Sequence, residues 1–186
     1  MKKLAALLLS LLMLTGCSKT RDMLDQAMTL RANLLACESY DFDASITADY
    51  GDEIHSFGMQ CVGDNDGNLE FTVTAPETIA GITGEISAGE GKLTFDDQGV
   101  AFPLLAEGQV TPISGPWILM KTLMGGYLTA CNQEEDLIHL MINDSYEEDA
   151  LELEIWLDGQ RNPVQGEIGY EGRRILTMEI ENFRIQ

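Results

Sequence analysis

Basic residues are scarce: 11 Lys and Arg stand against 31 Asp and Glu in 186 residues, a formal charge of −20. Nucleic acid is therefore excluded as a partner, because its phosphates must be met by cations. The same surplus repels anionic lipid headgroups. Histidine is nearly absent, with only His55 and His139, far apart in the chain. Cys37, Cys61 and Cys131 show none of the paired short spacings that build a zinc site, so no metal is expected and the two histidines read as surface or satisfied strand residues. There is no Gly-x-Ser-x-Gly elbow, no P-loop and no metal-binding histidine pair. The adjacent acids Asp96-Asp97 and Glu147-Glu148 sit in loops, where water solvates both carboxylates. No catalytic residue and no cofactor is expected. Beyond the N-terminus no stretch approaches the ~20 apolar residues that a membrane-spanning helix needs. Internal repeats, long linkers and low-complexity tracts are also missing.

What the N-terminus does contain is a charged-then-apolar leader. Lys2 and Lys3 precede an apolar run from Leu4 to Leu14 that is broken only by Ser10. It ends in Leu14-Thr15-Gly16-Cys17, which resembles the lipobox of bacterial lipoproteins. The resemblance implies cleavage between Gly16 and Cys17, a diacylglycerol thioether on Cys17 and acylation of the new amine. Two or three acyl chains hold a protein firmly on a bilayer. The expected organisation is a signal peptide at 1–16, a short lipidated tether at 17–20 and one domain at 21–186. The expected location is the extracytoplasmic face of the cell membrane, with lipid on Cys17 as the membrane partner.

From residue 21 to 36 the periodicity is helical, with Met23, Ala27, Leu30, Leu34 and Cys37 on one apolar stripe. A hairpin follows. Phe42, Ala44, Ile46 and Ala48 alternate with polar residues, and Gly51-Asp52 suits a two-residue turn. Pairing Tyr50 with Glu53 sets Ile46 opposite Phe57, Ala44 opposite Met59 and Phe42 opposite Cys61, which gathers the apolar residues on one face. In this register the helix ending near Cys37 returns to the end of the hairpin that holds Cys61. A Cys37–Cys61 disulfide with Cys131 free is the preferred pairing; three buried thiols is the alternative. The run Asp64-Asn65-Asp66-Gly67-Asn68 has alternating carboxylates, but its glycine comes too early for an EF-hand loop, and it reads as a turn.

Short strands are expected at Leu69–Ala75, 82–88, 92–96 and 100–102. Ser114 is a candidate cap and Pro116 suits the first turn of a helix running from Trp117 to Leu128, apolar on nearly every side. Such a helix is buried on several faces or covers something apolar that is not protein. Trp117, Met120, Leu123, Met124 and Tyr127 are its candidate ligand-facing residues. Strands resume at Leu137–Asn143, 150–158, 164–170 and 174–185. In the last, Leu176, Met178, Ile180 and Asn182 share one face.

The tally predicts an α+β domain: one large curved antiparallel sheet of about nine to eleven strands, an open half-barrel, with two or three helices on its concave face. The helix leading into Phe42–Cys61, the segment Phe71-Thr72-Val73-Thr74-Ala75-Pro76-Glu77 and the closing strand Arg174-Ile175-Leu176-Thr177-Met178-Glu179-Ile180 resemble the LolA/LolB-like superfamily of lipoprotein carriers. Clostridial germination lipoproteins and mycobacterial lipid-handling lipoproteins belong to the same layout. The resemblance implies an apolar cavity between sheet and helices that holds an acyl chain, a lipid or a lipoprotein. The alternative is an envelope scaffold, a germination- or sporulation-type partner protein with a filled core and no ligand.

Overall fold

The computed structural model of the chain describes residues 16–95, 98–102, 104–106 and 109–186. The leader up to Thr15 and the Asp96-Asp97 pair lie outside them. A first helix, α1 (Gly16–Ala36), leads into β1 (Tyr40–Asp49), β2 (Ile54–Gly63), β3 (Leu69–Ala75), β4 (Thr83–Ser87), β5 (Glu90–Phe95) and β6 (Gln98–Phe102). A minimal hairpin, β7 (Leu105–Ala106) with β8 (Gln109–Val110), a 3-10 turn (Pro112–Ser114) and α2 (Gly115–Gly125) form the crossing. The chain then adds β9 (Tyr127–Glu134), β10 (Leu137–Asn143), β11 (Glu152–Leu157), β12 (Pro163–Tyr170) and β13 (Arg173–Ile185).

Eleven of these strands make one antiparallel sheet in the order β6-β5-β4-β3-β2-β1-β13-β12-β11-β10-β9. This is the expected α+β open sheet, with two helices on one face. Its path explains the need for the crossing. The chain starts at the centre of the sheet, meanders out to the β6 edge, passes over the face and returns from the β9 edge to close on β1.

The β1–β2 register is the one that alternation predicts: Ile46 faces Phe57, Ala44 faces Met59, Phe42 faces Cys61, and the Tyr50 amide donates to the Glu53 carbonyl at 3.0 Å. The seam between β1 and β13 buries Ala44, Ile46, Ala48, Leu176, Met178 and Ile180 under the helices. Asn182 departs from that face. A bulge opposite Phe42 shifts the register between Asp41 and Asp43, and Asn182 takes a left-handed conformation (φ 55°). Its side-chain amide then donates to Asp43 Oδ2 at 2.6 Å on the outer side of the sheet. The residue that breaks the alternation thus stitches the seam from outside.

Residues 17–20, expected as a tether, continue α1 as helix. Helix α1 buries Met23, Ala27, Leu30 and Leu34, the stripe its periodicity predicts. The second helix rests on β12 and β13. A Cβ on Gly166 would overlap Leu119 Cδ1, and one on Gly115 would stand 3.1 Å from Leu176 Cδ1. Two glycines, one in each partner, therefore let a leucine side chain of the other seat directly on the backbone. The helix ends at Gly125, three residues before the predicted Leu128. Gly126 turns extended (ψ 174°) and packs its Cα against Ile142 and Thr122, where any side chain would collide. Tyr127 and Leu128 then begin β9, an edge strand not expected from the sequence.

The expected Cys37–Cys61 bridge is not formed; all three described cysteines outside residue 17 are free thiols, two of them buried. Cys37 Sγ turns back to donate to the Leu34 carbonyl at 3.1 Å. Cys61 lies in the sheet between Phe42 and Phe71. Burial pushes the Cys61 thiol well above its ordinary range, and nearby Asp43 adds to the effect. These are neutral core thiols.

Candidate functional site

Helix α2 carries apolar groups on every side, and the structure buries nearly all of them: Trp117, Ile118, Leu119, Met120, Leu123 and Met124. Its start is held by tertiary contacts. Ser114 does not cap through an accepting hydroxyl; instead its Oγ is within 2.6 Å of the Thr111 carbonyl and 3.0 Å of the Leu104 carbonyl. The Trp117 indole N–H donates to the Gly67 carbonyl at 2.8 Å, fixing the helix to the β2–β3 turn. Near the other end, Arg31 of α1 donates through Nε to the Leu123 carbonyl at 2.7 Å. A cation beside carbonyls at a helix C-terminus is favourably placed. Burial lowers the Arg31 pKa from its usual value.

The β2–β3 turn that receives Trp117 is ordered by Asp64. Its Oδ1 accepts from the amides of Asp66 and Asn68 at 3.0 Å each, and its Oδ2 accepts from Asn68 Nδ2 at 2.8 Å. Gly67 supplies a positive φ of 84°. This segment is the turn that its composition predicts, and no group of acids, cysteines and histidines among the described residues could hold a metal ion. Burial raises the Asp64 carboxyl, but the hydrogen bonds from Asn68, Asp66 and Gly67 outweigh it and hold the pKa below the ordinary value.

Beside α2 lies a half-open groove of about 530 Å³. Trp117, Ile118, Leu104 and Leu151 provide its apolar wall, while Lys121 and Asp144 are exposed on its border. Lys121 Nζ stands 4.7 Å from the centre of the Trp117 ring, a cation–π contact. Asp144 is partly engaged, since its Oδ1 accepts the Leu151 amide at 2.8 Å. The volume falls in the range of small-molecule sites, and the mixture of apolar wall and few polar groups is their usual composition.

Of the five residues expected to face a ligand, Trp117 borders this groove. Met120, Leu123 and Met124 are buried in the core with the sheet and α1. Tyr127 lies on β9, 39% exposed, its ring 3.6 Å from that of Tyr146. The groove residues Ile118, Lys121, Leu104, Asp144 and Leu151 were not singled out from the sequence. Lys121 was legible in part, as the one charge in an apolar helix, one turn after Trp117. Leu104 and Leu151 reach the groove only through the fold.

A second cluster occupies the outer face of β9–β11. His139 stacks on Trp156 with ring centres 4.5 Å apart. Glu154 Oε2 lies 2.7 Å from His139 Nε2, and Glu134 Oε2 is 3.7 Å from Nδ1 while accepting the Trp156 indole N–H at 2.8 Å. His139 is thus a strand histidine flanked by carboxylates rather than an isolated one. His55 is a surface residue paired with Glu53 at 3.1 Å.

Among the described residues no helix is long and apolar enough to cross a membrane. No family model matches the sequence, and no curated protein matches it. Solved structures similar to the chain include an uncharacterised conserved protein from Thermus thermophilus, 12% identical with a TM-score of 0.47 over 90% of this chain and 88% of that one. A LolA superfamily protein from Nitrosomonas europaea is 9% identical with a TM-score of 0.45, covering 90% of this chain and 93% of its own. The Mycobacterium tuberculosis lipoprotein LppX is 12% identical with a TM-score of 0.41, covering 87% and 93%. At these values the likeness transfers no ligand and no partner.

Proposed function

We propose that this chain is a lipid-anchored extracytoplasmic protein, without catalytic activity, that binds an amphiphile through the groove beside α2. The leader and Cys17 support the anchor. The observation that carries the binding reading is the groove of about 530 Å³ walled by Trp117, Ile118, Leu104 and Leu151 with Lys121 at its border. An acyl chain or another apolar group would lie on the wall, and a polar end would be met by Lys121. The ligand lies beside the helix in this reading, because Met120 and Leu123 already fill the space beneath it.

That filled interior favours a second reading, an envelope scaffold that engages a protein partner and holds no ligand. The two are separated by one series of measurements on the detergent-extracted protein. Native mass spectrometry before and after delipidation, followed by titration with a fluorescent fatty acid, reports occupancy. Saturable one-to-one binding that weakens in Lys121→Glu supports the groove. Absence of co-purifying lipid and of saturable binding removes it, and a reproducible protein crosslink in native membranes would then favour the scaffold.

A further inference from the structure

We propose that the outer stripe of α1 lies on the lipid surface, so that the helix itself makes membrane contact beside the lipid on Cys17. This inference rests on the lipidation of Cys17. An α-helix turns about 100° per residue, so positions seven apart differ by about 20° and positions four apart by about 40°. Cys17, Leu24, Met28 and Leu35 follow one another at steps of seven, four and seven residues. All four therefore occupy one stripe about 40° wide on a helix that is continuous from Gly16 to Ala36.

The three apolar members of that stripe are left uncovered by the fold. Leu24 is 39% exposed, Met28 46% and Leu35 52%, although the neighbouring stripe of Met23, Ala27, Leu30 and Leu34 is buried. The charges agree with a lipid occupant. The stripe holds no acid, and its flanks carry Arg21, exposed, and Arg31, turned inward to the Leu123 carbonyl, each about 20° beyond an edge. In a chain with 31 acids and 11 bases this is an unusual strip of surface. Asp22 and Asp25 stand further round the helix, where they would face water.

What selects a bilayer over a protein is Cys17. Its backbone begins the same helix with no coil between, so acyl chains on that residue bring the membrane to the end of the helix from which the row of Leu24, Met28 and Leu35 runs. Helices that lie in the interface bury their apolar face to the depth of the headgroup and acyl boundary, while charges remain outside. The row from Leu24 to Leu35 is about 16 Å long, enough to fix how the domain is tilted on the surface.

The test uses the full chain, expressed with its own leader in a bacterium that processes lipoproteins. A photoreactive benzophenone amino acid replaces Leu24, Met28 or Leu35 in turn, and Asn33 on the water side as the control. Each purified variant is placed in phosphatidylcholine vesicles and irradiated, and the α1 and Cys17 peptides are weighed by mass spectrometry. The expected result is a phospholipid adduct at each stripe position, several-fold more abundant than at Asn33. An acylated Cys17 peptide with no lipid adduct on the stripe, or with equal labelling at Asn33, overturns the proposal and leaves the anchor standing. A stripe adduct to a second copy or to another protein overturns it as well. A Cys17 peptide without lipid overturns the anchor and this proposal together.

Discussion

Helices α1 and α2 differ in how many of their sides meet protein. In α2 the buried residues run round the axis, from Trp117 and Ile118 through Leu119, Met120 and Leu123 to Met124, and Lys121 is its one exposed charge. In α1 the buried stripe is narrow, and Leu24, Met28 and Leu35 remain in contact with solvent beside it. Both are rich in apolar residues, so apolar content alone says little about burial. The arrangement of glycines is more telling. Helix α2 has Gly115 within it and Gly166 beneath it, which allow it to sink onto the sheet. Helix α1 contains no glycine between its first residue and Ala36. One helix is structural throughout; the other has a side to spare.

Substitutions should read out that difference, and the largest effect belongs to α2. Leu119→Ala removes a side chain seated directly on the β12 backbone and should cost about 3 kcal/mol of stability in urea unfolding. Gly166→Val, which pushes the helix away, should cost a similar amount or prevent folding. Equal stabilities of Leu119→Ala and Leu24→Ala would remove the contrast between the helices.

Next in size are the links between the helices and the turn. Arg31→Ala leaves the Leu123 carbonyl without its donor and should cost about 1 kcal/mol by the same measurement. Asp64→Asn disturbs the turn that receives Trp117, and should also cost about 1 kcal/mol at neutral pH. Its pH dependence has a definite sign. The Asp64 carboxyl is held below its ordinary value in the folded chain, so its stabilisation is present above the unfolded pKa of about 3.9 and is lost as the pH falls through the lower folded value. The gap between native protein and Asp64→Asn should therefore close in acid. A gap that persists or widens would show that the ionised carboxylate is not what orders the turn.

The smallest effects belong to the outer stripe of α1. Leu24→Ser and Leu35→Ser should change the stability of the domain in detergent by no more than about 0.5 kcal/mol. Alkylation of the native protein should reach half-buried Cys131 before Cys37 and Cys61, in minutes against hours, since burial raises all three thiols and most strongly Cys61. A mass that shows two thiols missing would restore the Cys37–Cys61 bridge.

Much of the fold was legible in the sequence wherever side-chain alternation was strong. The β1–β2 register followed from Phe42, Ala44 and Ile46 against Cys61, Met59 and Phe57, because a slip by one residue would have turned all of them outward. Strand β9 was hidden, since Thr129, Cys131 and Gln133 alternate with Leu128, Ala130 and Asn132 without a clear apolar face, as an exposed edge strand permits. The Gly125-Gly126 pair marks in the sequence where the segment loosens or bends, but not that Gly126 turns extended and packs against Ile142, which ends the helix there. The groove was least legible. Trp117 and Lys121 are neighbours by helical spacing, but Leu104 and Leu151 join them from opposite ends of the sheet path. The cluster of Glu134, His139, Glu154 and Trp156 likewise exists only once β9, β10 and β11 are set in register.

The pairing of β1 with β13 has a consequence for how the molecule comes to be folded. Each wing of the sheet is a meander of sequence neighbours, so β1–β6 and β9–β13 can form from local contacts soon after collapse. The seam cannot, because Ala44 must find Ile180 and Ile46 must find Met178 across most of the chain. Contacts of such range carry the loop-closure entropy of everything between them and are made late. Two half-sheets waiting for a shared centre would keep the chain loose until β13 arrives.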